Sequence, residues 1–499
     1  MVATKTAVKF EDALSLTGFG KYNFLMMLVH VSIIMGMAFE IVSVAYLVPA
    51  NACELDTTVS QQGFMAGTPL LGIIATSHFW GYLADTKGRR RILAWCMCLA
   101  FLFGASSALS TDWIVFSILK FLSSCSVAGT YALGLTLLSE LTPQHRRSFM
   151  VSLTTTIYLS VTGLMAVISI PVLHLQFSHH MPLLNIEFSP WRLLCIVFAA
   201  PCALGAVGMY FSYESPRYLL SVGEEQKALE VLKGIYRINT GKSADDYDVT
   251  SLVLGEDTGA PSKGFWSSML SQTVPLLKPP LLKHTLLLSV LFMIFHTGFN
   301  PYLTWLPYII DGIMKSVVRG EENLSFCDML RASHNETGTQ TKDCSLNSSA
   351  MVTVFGVSVL IAVLNIVLSG VINCVGRKCL LICLQLTTGV VGLCINFSSS
   401  WVVSSVLLVV FMCGALNFGF LSTFSVDIFP TYVKAMAVCL TLMVGRGSSV
   451  LGINILKQML VYDCELSFYV FGGLVFAGGV IAFLLPGDAT DFTKESMET

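Results

Sequence analysis

The chain has 499 residues, of which 54% are hydrophobic and only 12% charged, with a formal net charge of −2. A soluble domain usually carries about 25% charged residues, so the composition argues against a soluble globular protein and for one embedded in a membrane. The near-neutral balance, with no basic arm, argues against nucleic acid as a partner, and fifteen cysteines lying mostly in apolar runs without paired CxxC spacing argue against a structural metal.

Residues 1–23 carry Lys5, Lys9, Glu11 and Asp12 and no apolar core, so no signal peptide is expected there; the first apolar run is too long to be cleaved and is expected to be retained as a signal-anchor. A helix needs roughly 20 apolar residues to cross the hydrocarbon core. That length predicts spans near 24–50, 64–84, 92–110, 113–138, 149–173, 192–212, 284–310, 350–373, 379–398, 402–426, 435–459 and 467–486. The runs are continuously apolar instead of alternating, which favours helices over a β-barrel. The expected fold is an all-α membrane protein of twelve transmembrane helices in two pseudo-symmetric six-helix halves, 24–212 and 284–486, separated by a polar central loop at 213–283. Within that loop, residues 223–241 read as an amphipathic helix with Ala228, Leu229, Leu232, Ile235 and Tyr236 on one side, packed under the bundle.

Orientation follows from Lys and Arg. With the N-terminus inside, 21 of these residues fall on the cytoplasmic side and six on the other, Lys457 and Arg192 among the six. Both termini (1–23 and 487–499) and the central loop are therefore expected in the cytosol. The 311–349 segment is expected as an outer loop, glycosylated at the sequons Asn323, Asn335 and Asn347. Cys327 and Cys344 in it are a candidate disulfide, with Cys53 and Cys464 on the same face leaving other pairings open.

The halves repeat. GYLADTKGRR after span 2 matches SGVINCVGRK after span 8, aligning Gly88 with Gly376. Glu140-x-x-Pro143-x-x-x-Arg147 after span 4 matches Asp427-x-x-Pro430-x-x-x-Lys434 after span 10, at nearly the same offset. Related halves are an arrangement used for alternating access. GYLADTKGRRR resembles the loop signature of the major facilitator superfamily. Glu214-Ser215-Pro216-Arg217 resembles the PESPR element of its sugar and organic-ion porters, and Lys120-Phe-Leu their RFL element. The opening FEDALSLTGFGKYN, the SHFWGYLAD junction and the layout are most similar to the synaptic vesicle glycoprotein 2-like branch, neighbour to the organic-ion transporters.

Gly81 permits close helix approach and Gly88 a tight turn, while Asp85 can pair with Arg89 or sit at a neighbouring helix N-terminus. The resemblance implies that this cluster, with Arg90, latches the halves together in an outward-open state. Glu140, Arg147, Arg217, Arg377 and Asp427 are expected to join that gating set through ion pairs at span ends. Three charges stand inside spans, where each costs roughly 2.5–3.5 kcal/mol: Glu40, Lys120 and Arg446. The resemblance implies that spans 1, 4, 7 and 10 line the central cavity, so Glu40 and Lys120 are expected to face it. Glu40 is the candidate for a cationic group or a coupling proton, and Lys120 or Arg446 for a substrate carboxylate. Alternatively the three neutralise one another as a structural network. In span 7 His296, Asn300, Tyr302 and Trp305 are expected to shape the cavity, with Asn300-Pro301 breaking the helix, and in span 10 Asn417 and Phe418. Gly414 and Gly419 read as packing contacts, and His30 and His78 as bundle residues.

No Walker lysine, GxSxG elbow or HExxH pair occurs, so neither ATP-driven pumping nor catalysis is expected, and no cofactor. The reading is a secondary active or facilitative transporter of a small organic solute; the resemblance to organic-ion carriers, with Arg446 in span 11, implies an anion or zwitterion. It is expected as a monomer in the plasma membrane or a vesicle membrane. The alternative is a non-transporting, partner-binding vesicle or plasma-membrane glycoprotein.

Overall fold

The computed structural model describes residues 8–182, 185–253, 270, 273–320, 324–335, 347–398, 400–429 and 431–486. In the N-terminal half, span 1 is Lys21–Val42 continued by Val44–Asn51, span 2 Val59–Lys87 and span 3 Arg89–Ser106. Span 4 is Trp113–Val127 with Thr130–Glu140, span 5 Gln144–Leu173 and span 6 Pro190–Phe211. In the C-terminal half, span 7 is Leu281–Val318, span 8 Ser348–Val375 and span 9 Arg377–Cys394. Span 10 is Trp401–Met412 with Asn417–Asp427, span 11 Thr431–Tyr462 and span 12 Cys464–Ile481. The chain is an integral, multi-pass membrane protein of two six-helix halves. Helices suit this setting because each satisfies its own backbone hydrogen bonds in lipid.

Among the described residues ten of these spans have apolar windows long enough to cross a bilayer by length and composition alone. The other two are Val59–Lys87 and Gln144–Leu173, and through these spans the N-terminal half packs on its partner. Gly63 and Gly67 of span 2 lie against Asn454 and Val450 of span 11, and Gly163 of span 5 against Phe355 and Ser358 of span 8. These contacts sit on the side of the molecule remote from the termini, called here the far face. There His174 at the end of span 5 and Ser348 at the start of span 8 share a 3.0 Å hydrogen bond. On the terminus face Gly81 of span 2 and Gly419 of span 10 have open space beside them. The expected close approach at both glycines is therefore absent among the described residues in this conformation.

The repeat is visible in the backbone. Gly88 (φ 96, ψ 143) and Gly376 (φ 85, ψ 148) make the same left-handed turn between spans 2 and 3 and between spans 8 and 9. A side chain at Gly88 would also strike the Glu214 carboxylate.

Span 7 departs from expectation. It runs unbroken through Pro301 and Pro307 and ends at Val318, so 311–318 is helix and not loop. Gly452 of span 11 lies against the Pro301 ring and the Thr297 carbonyl, so the neighbouring helix closes on the point where proline interrupts the hydrogen-bond ladder. Beyond it, the helix Phe326–Asn335 is fastened to span 12 by a Cys327–Cys464 disulfide with Cα atoms 5.6 Å apart. This corrects the Cys327–Cys344 pairing: the helix turns Cys327 toward the first residue of span 12, and Arg331 adds an ion pair to Glu465. Cys53 is also disulfide-bonded. Asn323 lies outside the described residues, as do Cys344 and the tail.

On the terminus face the amphipathic helix forms as expected, over Glu225–Thr240, burying Ala228, Leu232 and Ile235. It packs on the helix Phe10–Leu16 through Phe10, Ala13 and Leu14. Strand Val8–Lys9 pairs in parallel with Leu252–Val253, so the N-terminal segment and the central loop form one small layer under the bundle. The Asn239 side chain donates to the Thr17 and Gly18 carbonyls and to Asn23 Oδ1, and accepts from Tyr22 N–H, which ties that layer to span 1.

Candidate functional site

Two of the three charges expected inside spans meet each other. Lys120 Nζ stands 2.9 Å from Glu40 Oε2, and both side chains are 0% exposed. Gly104 of span 3 provides the room: a Cβ there would fall 2.1 Å from Glu40 Oε1. Spans 1, 3 and 4 thus enclose the pair, which corrects the expectation that both residues face the pathway. Each neutralises the other where an isolated charge would be costly.

Arg446 is apart from them. It lies mid-way along span 11, half-buried, and none of the ion pairs among the described residues includes it. It lines a cavity between spans 2 and 11 together with Ile74, Ser77, His78, Cys439, Leu442 and Met443. Tyr158 of span 5 is close enough to feel its charge, and the Tyr131 ring of span 4 packs on Tyr158 at 5.8 Å. Next to it in sequence, Gly445 accommodates the His296 ring of span 7, whose Nδ1 is 3.0 Å from the Phe292 carbonyl. Residues from both halves therefore converge on one guanidinium. An arginine so placed offers a planar fork of donors to a carboxylate or other oxyanion. His78 belongs to this wall, although an isolated histidine in an apolar run gave no sign of it.

The remaining candidates divide. Tyr302 and Asn417 are fully buried inside the C-terminal half and do not reach the cavity. Tyr302 donates to Ser467 Oγ at 3.3 Å and sits among the rings of Phe411, Phe468 and Phe471. Asn417 has no partner for either amide atom among the described residues. Asn300 is half-buried, Phe418 packs by the His296 ring, and His30 is buried against Gly134.

Trp305 makes a contact that the sequence did not disclose. Its indole N–H donates to the Ile453 carbonyl at 3.0 Å, and its ring lies 4.6 Å from Lys457 Nζ, which also stands 3.2 Å from the Tyr308 ring. Lys457 is 1% exposed. Counting it as a surface charge is corrected, because span 11 continues to Tyr462 and carries it inside. Arg192, assigned to the same surface, is also buried, held by Glu54 at 2.6 Å and by the Ala108 and Ser110 carbonyls.

The signature residues form a network at the terminus face. Arg89 pairs with Glu140 at 2.6 Å, and Ser215 Oγ donates to the same carboxylate oxygen at 2.6 Å. Glu214 accepts from Arg90 N–H at 3.0 Å, while the Arg90 guanidinium donates to the Met209 and Tyr210 carbonyls that end span 6. Arg147 pairs with Glu11 at 3.1 Å. These pairs lie within the N-terminal half or join it to the segments that flank it. Arg217 is the second residue of the short helix Pro216–Ser221, and Arg377 opens span 9. The side chains of Asp85, Asp427 and Lys434 lie outside the described residues.

Residues 28–317 match the family model described as Major Facilitator Superfamily. Over 237 residues the chain is 27% identical to synaptic vesicle glycoprotein 2C of Mus musculus, a match covering 47% of this chain and 32% of that protein. Synaptic vesicle glycoprotein 2B of Homo sapiens is 26% identical over 239 residues, 47% of this chain and 34% of that one. The chain thus matches about a third of the length of these relatives. Among solved structures, the xylose transporter XylE from E. coli, in a partially occluded inward-open conformation, superposes with TM-score 0.66 at 15% identity, covering 94% of this chain and 98% of that one. The nucleoside transporter NupG gives TM-score 0.61 at 10% identity, over 92% and 99%.

Proposed function

The chain belongs to the major facilitator superfamily, and from that membership we propose that it moves a small organic solute across the membrane by alternating access, as a secondary transporter or facilitator. An organic anion or zwitterion is the favoured class. The observation that carries this choice is Arg446, a guanidinium at the meeting of spans from both halves with no carboxylate pairing it among the described residues. A charge retained at such depth marks a substrate or ion path by default. The far-face contacts between spans 2 and 11 and between spans 5 and 8, with open space on the terminus face, fit an inward-facing state if the termini are cytosolic. The excess of Lys and Arg on that face supports this orientation. In this reading Glu40 and Lys120 hold span 1 to span 4, and the Arg89–Glu140 network steadies the cytoplasmic ends.

The test is flux into liposomes containing the purified full chain, with a panel of radiolabelled carboxylates, zwitterions and organic cations. Uptake of a carboxylate or zwitterion is expected. It falls at least about tenfold in Arg446→Met and is partly kept in Arg446→Lys, since a point charge replaces a bidentate fork. Unchanged uptake in Arg446→Met overturns the site assignment. Absence of flux for every solute, with folded protein, favours the non-transporting glycoprotein.

A further inference from the structure

We propose that Lys457 is a second anion-binding station on the transport path, closed in this conformation and bared when the far-face ends of spans 7 and 11 part from the N-terminal half. The inference rests on the anion reading given to Arg446 above and extends it along the same helix.

Three observations carry it. First, Lys457 is a fully buried cation in a membrane span, and none of the ion pairs among the described residues includes it. Among the described residues the other fully buried cations of the spans are compensated: Lys120 by Glu40, and Arg192 by Glu54 and two carbonyls. Among the described residues Lys457 has π faces, Trp305 at 4.6 Å and Tyr308 at 3.2 Å. Such contacts return roughly 0.5–2 kcal/mol, against a charge cost that reaches roughly 2.5–3.5 kcal/mol at the centre of a span. A methionine would fill the same space without that cost, so packing alone does not account for an ammonium here.

Second, Lys457 and Arg446 are eleven residues apart on one helix. At about 100° and 1.5 Å per residue, they lie within about 20° of the same face and about 16 Å apart along it. Arg446 opens on the cavity at mid-depth, and Lys457 stands toward the far face.

Third, the cage lies where the halves close. One turn before Lys457, Asn454 packs on Gly63 of span 2. Separation of these helices would uncover the ammonium. The nearest carboxylate in span 7, Asp311, is held by Lys315 at 2.9 Å and by Asn347 N–H at 2.6 Å, so it does not serve as the missing counter-ion. An incoming carboxylate would exchange the π faces for an ion pair and then pass to Arg446.

The experiment uses the full chain in liposomes of fixed sidedness, with radiolabelled benzoate and succinate as probe anions. Lys457→Met is expected to raise KM for entry from the far face by about tenfold or more, the effect of truncating one partner of a buried charge pair. KM for entry from the terminus face changes less than about twofold, and Lys457→Arg restores most of the loss. Tyr308→Leu keeps the cation and strips part of its cage, so it leaves far-face KM unchanged or lowers it. Equal KM changes on both faces, no change in Lys457→Met, or a rise in Tyr308→Leu matching that of Lys457→Met would each overturn the inference. Loss of flux in Arg446→Met with none in Lys457→Met sinks this station alone. Flux untouched in both sinks the anion reading beneath it.

Discussion

Glu40 and Lys120, eighty residues apart in sequence, form an ion pair with Nζ–Oε2 of 2.9 Å in a place where neither side chain meets solvent. The pair joins span 1 to span 4. Its energetic sign depends on both partners being present, because each alone would be an uncompensated charge in a low-dielectric interior.

Glu40→Gln or Lys120→Met alone is therefore expected to destabilise the folded protein by about 3–5 kcal/mol. The double variant Glu40→Gln with Lys120→Met recovers most of the loss. Thermal unfolding in detergent, read as a double-mutant cycle, measures the coupling. Additive losses would mean that the two residues act independently.

The Cys327–Cys464 bond predicts a specific crosslinked peptide under non-reducing conditions. Cys327→Ser and Cys464→Ser should cost the same, about 2–5 kcal/mol, and the double variant no more than either. Cys344→Ser leaves that peptide intact. A crosslink between Cys327 and Cys344 in mass spectrometry would refute the assignment.

Two glycines of span 10 should respond oppositely. At Gly414 a methyl group would fall 2.0 Å from the Phe299 ring, whereas Gly419 has nothing within 4 Å. Gly414→Ala is expected to destabilise by about 1–3 kcal/mol through overpacking. Gly419→Ala should be neutral or stabilising by a few tenths up to about 1 kcal/mol, as alanine favours the helix. Comparison of the two melting temperatures decides it.

Asp112 caps the start of span 4, accepting from Ile114 N–H at 2.7 Å and Val115 N–H at 3.0 Å. The hydrogen bond from Val115, aided by those from Ile114 and Thr111, holds its carboxyl below the ordinary range. A depressed folded value means that the charged cap contributes fully above the usual carboxyl pKa of about 4 and fades as pH falls through the lowered one. Asp112→Ala should cost about 1 kcal/mol at neutral pH. Asp112→Asn keeps a capping oxygen and removes that part of the acid sensitivity. Identical acid unfolding profiles for the native chain and Asp112→Asn would refute the argument.

Hydropathy, length and charge are properties of the chain read in one dimension, so the sequence by itself determined twelve spans, their division into six and six, and the Gly88–Gly376 repeat. It also placed Arg446 as a charge inside a span, because the cost of burying a guanidinium is legible wherever an arginine interrupts an apolar run. It did not show which faces the helices turn to one another. Helical rotation and packing decided that Glu40 and Lys120 consume each other's charge, that Tyr302 and Asn417 are sealed within one half, and that His78 joins the cavity wall. They also decided that Cys327 meets Cys464 and that Lys457 packs on Trp305 and Tyr308. Such partners come from segments far apart in the chain, and only close packing in three dimensions selects among them.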